Sequence, residues 1–409
     1  MATKTTVLVC RVSDVKDHSN ADKLQVCNVL GWQMVIPKGQ FKDGDKVVYF
    51  PPDTLLPDVW AEKWNVKNYL KGVNKDRIGK VRLRGEPSFG LAVKPCEDWE
   101  EGTNVAEYFG ATKYEPPVRP DVGDEAPFHP LFYSYTDIEN LRNFPDVFNE
   151  GEEVVATEKL HGTNCRVSLI EGKFMAGSMI LNRAWPYQYI KKVVIDPVVV
   201  EKLGQSNIDL CPPTLTVHNI PREVKDIMKE KELTREDLYV KDEAGSLGDT
   251  IVKFNPYWFP LTIPNVRELV LNIGGGYQIG FESVIVFGEV YGGSIQNLNY
   301  GIPSGKGFGF RIFDIQLNGK FMNHDDLVQT CQKFGVDMVP VLYRGPFSLN
   351  KIKEVSGGNT TMGNQDHIRE GVVVRPVVER THPRVGRLVM KYISDQYLMS
   401  DSVSDYKDI

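Results

Sequence analysis

The sequence predicts an α+β protein built as two units, a small all-β unit followed by a larger one that mixes strands and helices. Three observations predict it. Short strand-like stretches fill roughly the first hundred positions, a proline- and glycine-rich tract then breaks the pattern, and strong strand signals beyond it alternate with charged, helix-like sequence. At 409 residues the chain also exceeds what one hydrophobic core ordinarily organises.

In the first unit, residues 1–105, the strand signals are VLVCRVSDV, LQVCNVLG, WQMVIPKG, DKVVYFPP and GKVRLRG, punctuated by Lys38-Gly39, Asp43-Gly44 and Arg84-Gly85. Such spacing predicts a small barrel or sandwich, of which the five-stranded oligonucleotide-binding (OB) barrel is one form. Trp32 and Trp60 read as packing residues rather than platforms for bases. Between Lys63 and Arg84 lie eight basic residues, Lys63, Lys67, Lys71, Lys75, Arg77, Lys80, Arg82 and Arg84, against the single acidic Asp76. The four-residue spacing of Lys63, Lys67 and Lys71 suits one exposed helix, and the whole stretch suits a surface that contacts phosphates; both readings stand at this point.

Residues 106–128 read as a linker, with GATKYEPPVRPDVGDEAPF as its proline- and glycine-rich part. The second unit then spans 129–409. Its strand signals are VVATEKLHGTNCRVSLI, FESVIVFGEVYG, FGFRIFDIQL, REGVVVRPVV and GRLVMKYI, while PREVKDIMKEKELTREDLYVKDE reads as charged surface helix.

Composition excludes several classes. With 41% apolar and 25% charged residues the chain resembles neither a disordered nor a membrane protein. No stretch approaches the roughly 18 apolar residues of a membrane span, and MATKTTVLVCRV lacks the apolar core of a signal peptide, so an intracellular protein is expected, in cytoplasm or nucleus. The six cysteines are too widely spaced for a zinc knuckle, and the histidines other than His161 show no metal-ligand spacing. A net charge of −6 predicts no global attraction to nucleic acid, which leaves local patches as the guide.

Chemistry concentrates in the second unit. Lys159 closes the apolar run from Val154, and Gly162 permits a tight return into the next strand, so an ammonium is expected at a strand end, the usual rim of a cleft. A lysine nucleophile must shed its proton from an ordinary pKa of about 10.4, which nearby cations or desolvation favour; Lys391 and Arg183 are the candidates. Glu289 in VFGEVYGG and Glu370 in REGVVVRP open or interrupt apolar strands, where a carboxylate suits a ribose hydroxyl or a divalent metal. Phe313 offers a flat apolar face, and Asp314 beside it would be costly unpaired. His161 suits acid–base work or a turn, and Asn164 can donate a hydrogen bond without charge. Each alone has a bland explanation in a salt bridge, a turn or core packing. Two carboxylates and several cations together make a set suited to phosphoryl chemistry.

The order of these pieces carries a resemblance. Glu158-Lys-Leu-His-Gly-Thr-Asn164, Ser178-Met-Ile-Leu-Asn-Arg183, Phe287-Gly-Glu-Val-Tyr-Gly292, Phe310-Arg-Ile-Phe-Asp-Ile315, Glu370-Gly-Val-Val-Val-Arg-Pro376 and Val389-Met-Lys-Tyr392 resemble the ordered motifs of the covalent nucleotidyltransferases. Within them the set is similar to the nick-sealing, ATP-dependent RNA ligases, and HSNADKLQVCNVLGWQMVIPKGQFKDGDKVVYFPPDTLLP resembles the N-terminal OB domain of one subgroup. The resemblance implies an ATP-grasp-like ligase adenylylation domain of antiparallel sheets with helices, preceded by an OB barrel.

It also implies a reaction. Lys159 attacks the α-phosphorus of ATP to give lysyl-AMP, AMP passes to an RNA 5′-phosphate, and a 3′-hydroxyl displaces it, all with Mg²⁺ or Mn²⁺. By the same resemblance Glu158, His161 and Gly162 face the nucleotide, Phe313 stacks on the adenine with Val373 on its other face, and Asn164 and Arg183 address ribose or phosphate. Asp314 accompanies Phe313 in the nucleotide site. Glu289 binds ribose and assists with metal, Glu370 places metal, and Lys391 contacts the α-phosphate. Family members commonly carry a second lysine two residues before the last, where this chain has Val389; Arg387 lies nearby. Only 18 residues follow Lys391, so RNA grip is expected from the catalytic domain and from Lys75, Arg77, Lys80, Arg82 and Arg84 of the barrel, in a monomer. A DNA ligase, a capping guanylyltransferase and a non-catalytic RNA-binding protein are the competing readings.

Overall fold

The computed structural model describes residues 6–114, 125–184, 255–274, 282–364 and 367–400, together with the strand Asp405–Tyr406 and isolated positions near 230. Most of the charged stretch after Pro221 lies outside the described residues.

The first unit is a five-stranded antiparallel sheet formed by β1 (Leu8–His18), β2 (Ala21–Val29), β3 (Trp32–Pro37), β4 (Lys46–Phe50) and, beyond the hairpin β5 (Lys80–Leu83) and β6 (Glu86–Phe89), the closing β7 (Leu91–Val93), in the order β3-β2-β1-β4-β7. β1 is shared between two neighbours. Its register shifts between Ser13 and Lys16, where Asp14 takes φ 55°; Leu8–Arg11 pair with β4 and Val12–His18 with β2. A shift of this kind bends a strand, which lets the sheet curl. Alternation then supplies two cores. Cys10, Val12, Val47 and Tyr49 turn inward with Trp32 and Phe89. Val9, Val48 and Phe50 turn the other way, beneath α1 (Asp58–Lys63) and α2 (Ala106–Phe109).

Two expectations need correction here. Lys63, Lys67 and Lys71 do not share one helix, because α1 stops at Trp64, Asn65 takes φ 54°, and Lys67–Tyr69 form a separate 3₁₀ turn. Lys67 pairs with Asp58 at 2.8 Å and Lys63 lies over the Trp60 ring at 4.8 Å. Residues 106–113, read as the start of a linker, belong to the first unit: Ala106, Phe109 and Ala111 are buried in its core, and Thr112–Lys113 pair with Thr54–Leu55.

Two larger sheets organise the described part of the second unit. One holds, in order, Glu139–Asn140, β16 (Met390–Ile393), β15 (Gly371–Pro376), β8 (Glu153–Glu158) and β14 (Val341–Pro346). The other runs β11 (Asn182–Arg183), β10 (Lys173–Gly177), β9 (Thr163–Ile170), β12 (Val284–Tyr291), β13 (Gly309–Leu317) and Lys320–Phe321. Helices α3 (Pro264–Gly274) and α4 (His324–Phe334) join Trp258 and Leu261 against the second sheet through Val270, Leu327 and Cys331. α5 (Leu349–Ser356) covers the first sheet with Ile352. Among the described residues no helix is long and apolar enough to cross a membrane.

One arginine pins the two units together. Arg142 is 2% exposed; it donates to the Gly31 carbonyl (3.1 Å), the Ile393 carbonyl (3.0 Å) and Asp395 (2.6 Å), and lies over the rings of Trp32 and Tyr392. Trp32 Nε1 donates to Asn143 at 2.8 Å. A Cβ on Gly31 would stand 2.8 Å from Arg142 Cα, so glycine is what admits this approach. Asp395 is partly exposed and can rehydrate, which brings the loss on Arg142→Ala below that of a fully buried pair, to about 2–3 kcal/mol. Chemical denaturation of the full chain checks it.

Candidate active site

Lys159 lies one residue beyond β8. Its N–H donates to the Gly371 carbonyl at 2.9 Å, extending the β8–β15 ladder in which Glu158 faces Val372. Glu370 immediately precedes β15, so the ladder sets the two side chains together, with Lys159 Nζ 2.6 Å from Glu370 Oε1. In the turn that follows, His161 Nδ1 stands 3.3 Å from Glu370 Oε2, and the His161 N–H donates to the Tyr300 hydroxyl at 2.7 Å. The Gly162 N–H donates to Glu289 Oε1 at 3.0 Å. A Cβ at 162 would lie 2.3 Å from the Val290 carbonyl oxygen, so this turn meets β12 only as glycine.

A pocket of about 240 Å³ opens between the sheets, with Lys159, Asn164, Glu289, Phe313, Val373 and Lys391 among its walls. Phe313 comes from one sheet and Val373 from the other. Phe313 is the extra residue of a β-bulge: Phe287 faces Asp314 and Gly288 faces Ile312, leaving Phe313 between them. Bulges re-aim side chains, and this one brings consecutive residues, Phe313 and Asp314, to the same pocket. Lys391 on β16 faces Val373 on β15.

Burial works against several of the charges here. It pushes the Glu289 carboxyl up to about 8; Lys159 and the Gly162 N–H oppose the rise and the Glu370 charge adds to it. Burial likewise acts against the Glu370 charge, but the His161 hydrogen bond and Lys159 outweigh it and hold that carboxyl below its ordinary range. Lys391 is lowered, first by burial and then by Lys159. Asn164 Oδ1 is buried and has no hydrogen-bond partner within the protein, a cost that a ribose hydroxyl would remove. No group of three or more His, Cys, Asp or Glu among the described residues forms a metal cage. The donor set nevertheless fits Mg²⁺ or Mn²⁺ held by one or two carboxylates and substrate phosphates, since a divalent cation would offset the burial that raises the Glu289 carboxyl.

Other expected site residues take different places. The Glu158 carboxylate is buried and accepts from Thr360 Oγ1 (2.5 Å), Thr361 N–H (2.9 Å) and Thr361 Oγ1 (2.7 Å), so it anchors the 360–361 turn. Asp314 accepts from Tyr135 (2.7 Å), Arg375 (2.9 Å) and Arg387 (2.8 Å), and thereby ties β13 to β15. Arg387 also pairs with Glu379 at 2.7 Å, so it does not stand in for a lysine at the buried Val389. Arg183 stacks over Tyr257 at 5.1 Å, outside the described lining of the pocket.

A second cleft, about 490 Å³, lies between the units, and Lys71, Arg77, Lys80 and Lys113 line it together with Lys391. Lys391 therefore borders both cavities. Arg82 donates to the Met399 carbonyl at 3.2 Å, and Lys75 and Arg84 are exposed at turns with φ 49°. Tyr300, Thr360, Thr361 and Lys113 were not legible as site residues, because each reaches the site from a loop or edge with no pattern of its own.

The model of the RNA ligase family matches residues 152–393. The chain belongs to the RNA ligase family. Its reaction is the family's ATP-dependent, AMP-forming joining of RNA ends. An OB-fold domain model matches residues 6–95, so the first unit is an OB-fold domain in front of the α+β nucleotidyltransferase. Naegleria gruberi RNA ligase has the same fold from end to end. The structure of a point mutant of that enzyme with ATP and Mn superposes with a TM-score of 0.64 at 20% identity, covering 97% of this chain and 99% of that one. The structure with PPi gives 0.63 at 21% identity, covering 98% and 99%. No curated protein matches the sequence.

A pH test of the site follows from Glu289. Its folded pKa lies above its unfolded value, so its stabilising protonated form is intact near pH 4.5 and is lost as pH rises toward about 8. Without metal, the stability of the ligase minus that of Glu289→Gln is expected to fall across this range. Urea titrations of both proteins at several pH values check the difference, which cancels groups common to both.

Proposed function

We propose that this ligase seals nicks in RNA duplexes as a monomer, with Lys159 as the nucleophile that carries AMP. The supporting observation is the Lys159–Glu370 pair at the mouth of a pocket that Glu289 and Lys391 share. The amine leaves Glu370, loses its proton and attacks the α-phosphorus of ATP; a P–N bond forms as the bond to pyrophosphate breaks. An RNA 5′-phosphate oxygen then takes the AMP and returns the lysine. Finally the 3′-hydroxyl attacks that 5′-phosphorus and AMP leaves.

The chain's residues divide this work. Phe313 and Val373 sandwich the adenine, Asn164 meets a ribose hydroxyl, and Lys391 neutralises α-phosphate charge. Glu289 and Glu370 would hold Mg²⁺ or Mn²⁺, which supplies charge neutralisation on phosphate oxygens when bound. Glu158 and Asp314 act through the walls they hold. Arg183 is left for RNA or ribose contact at the rim. The RNA backbone runs along the interdomain cleft past Arg77 and Lys80, with Lys75, Arg82 and Arg84 at its outer edge. Free cysteines at 10, 27, 96, 165 and 331 suit a reducing intracellular compartment.

Two experiments test this reading. Incubation with ATP and Mg²⁺ should add one AMP at Lys159 by mass spectrometry, and Lys159→Ala should abolish it; label retained by that variant sinks the assignment. Charge reversal at Arg77 and Lys80 should weaken nicked-RNA binding and lower the log–log salt slope by roughly two. An unchanged slope removes the cleft from the account.

A further inference from the structure

A short helix after the last motif strand touches both the reacting lysine's neighbours and the OB-fold domain. α6 (Asp395–Ser400) follows β16 directly. From it Tyr397 brings its hydroxyl to 3.3 Å from His161 Nδ1, the same nitrogen that stands 3.3 Å from Glu370 Oε2. The next two residues point elsewhere: Leu398 and Met399 pack against the barrel core that holds Trp32, Tyr49 and Phe89. Arg82 of β5 fixes the Met399 carbonyl from the barrel side. At the start of the helix Asp395 is held by Arg142, and the Ser394 hydroxyl accepts from the Tyr397 N–H at 3.0 Å.

We propose that Tyr397 is a positioning residue for lysine adenylylation, and that the docked OB-fold domain holds it in place through Leu398 and Met399. The proposal rests on the adenylylation of Lys159 argued above. A lone pair on Nδ1 would face the lone pairs of Glu370 Oε2, so the tautomer with hydrogen on Nδ1 suits this carboxylate. That N–H then has two oxygens in reach, the carboxylate and the phenol, and together they fix the plane of the ring. Glu370 is thereby held from one side by His161 and from the other by Lys159. Without the phenol the imidazole can swing, and the carboxylate that aligns the amine swings with it. The helix is bound to the barrel one residue later, so displacement of the barrel withdraws Tyr397 as well. A route of packed side chains thus runs from the OB-fold core to the nucleophile.

The test compares steps in the full chain. Tyr397→Phe should slow self-adenylylation at saturating ATP and Mg²⁺ by about tenfold, the worth of one net hydrogen bond, and leave the KM for ATP within about twofold. Sealing of a chemically pre-adenylylated RNA nick, which bypasses the first step, should remain as fast as in the parent. Leu398→Ala should slow the first step in the same way, and the double variant should be no slower than the worse single one, as expected of residues acting in series. Equal losses in both steps would mark a general structural defect and overturn the proposal, as would an unchanged adenylylation rate in Tyr397→Phe. Strict additivity of the two substitutions would overturn the route through the barrel. If the parent itself takes no AMP at Lys159, the underlying reading falls rather than this one alone.

Discussion

The register of β8 against β15 is the constraint on which the site depends. Glu158 faces Val372 and the Lys159 N–H reaches the Gly371 carbonyl, so the residues just past these pairs, Lys159 and Glu370, emerge side by side. Side chains alternate along a strand, and a slip of one residue would turn the lysine out of the pocket. Neighbouring contacts guard the register. A Cβ on Gly371 would sit 2.2 Å from the Tyr392 carbonyl oxygen, which holds β15 close to β16 and brings Lys391 opposite Val373. Across the pocket, the Gly162 N–H on Glu289 locks the end of the same turn to the other sheet.

The two sheets meet through charge as well as apolar packing. Asp314 is fully buried and would be costly there alone; Tyr135, Arg375 and Arg387 surround it. Arg387 is drawn into this cluster and toward Glu379, and is thereby lost to the phosphate side. The pocket's own lysines, 159 and 391, carry the positive charge that faces it, with Arg375 committed to Asp314. Cations are thus divided between wall and cavity, and Val389 itself is buried in the lining of the pocket.

Much of the site was legible because its chemistry lies at strand ends. Lys159, Glu289, Glu370 and Lys391 sit in or beside apolar runs whose strand character is plain, and the pocket or its rim collects all four. What sequence could not tell was which carboxylates face inward. Glu158 and Glu370 look alike as acids at the ends of valine-rich runs, yet Thr360 and Thr361 consume one and Lys159 takes the other. That outcome depends on a loop some two hundred positions away, which no local pattern reveals. The basic stretch failed in a different way: a four-residue lysine spacing predicts a helix only if the backbone between permits it, and Asn65 with φ 54° does not. Residues 106–113 belong to the barrel although their composition reads as linker, because Phe109 and Ala111, which bind that segment to the barrel, adjoin Gly110 and Thr112, which read as loop.

Arg142 gives the two domains a common fate on heating. Its guanidinium is enclosed by Trp32 and Gly31 on one side and by Tyr392, Ile393 and Asp395 on the other. Melting either half would forfeit the contacts which that half makes to the guanidinium, so each domain is more stable while the other stays folded. Destabilising either domain should therefore lower the melting temperature of the other, and a nucleotide bound in the catalytic pocket should raise the melting temperature of the barrel that never touches the adenine.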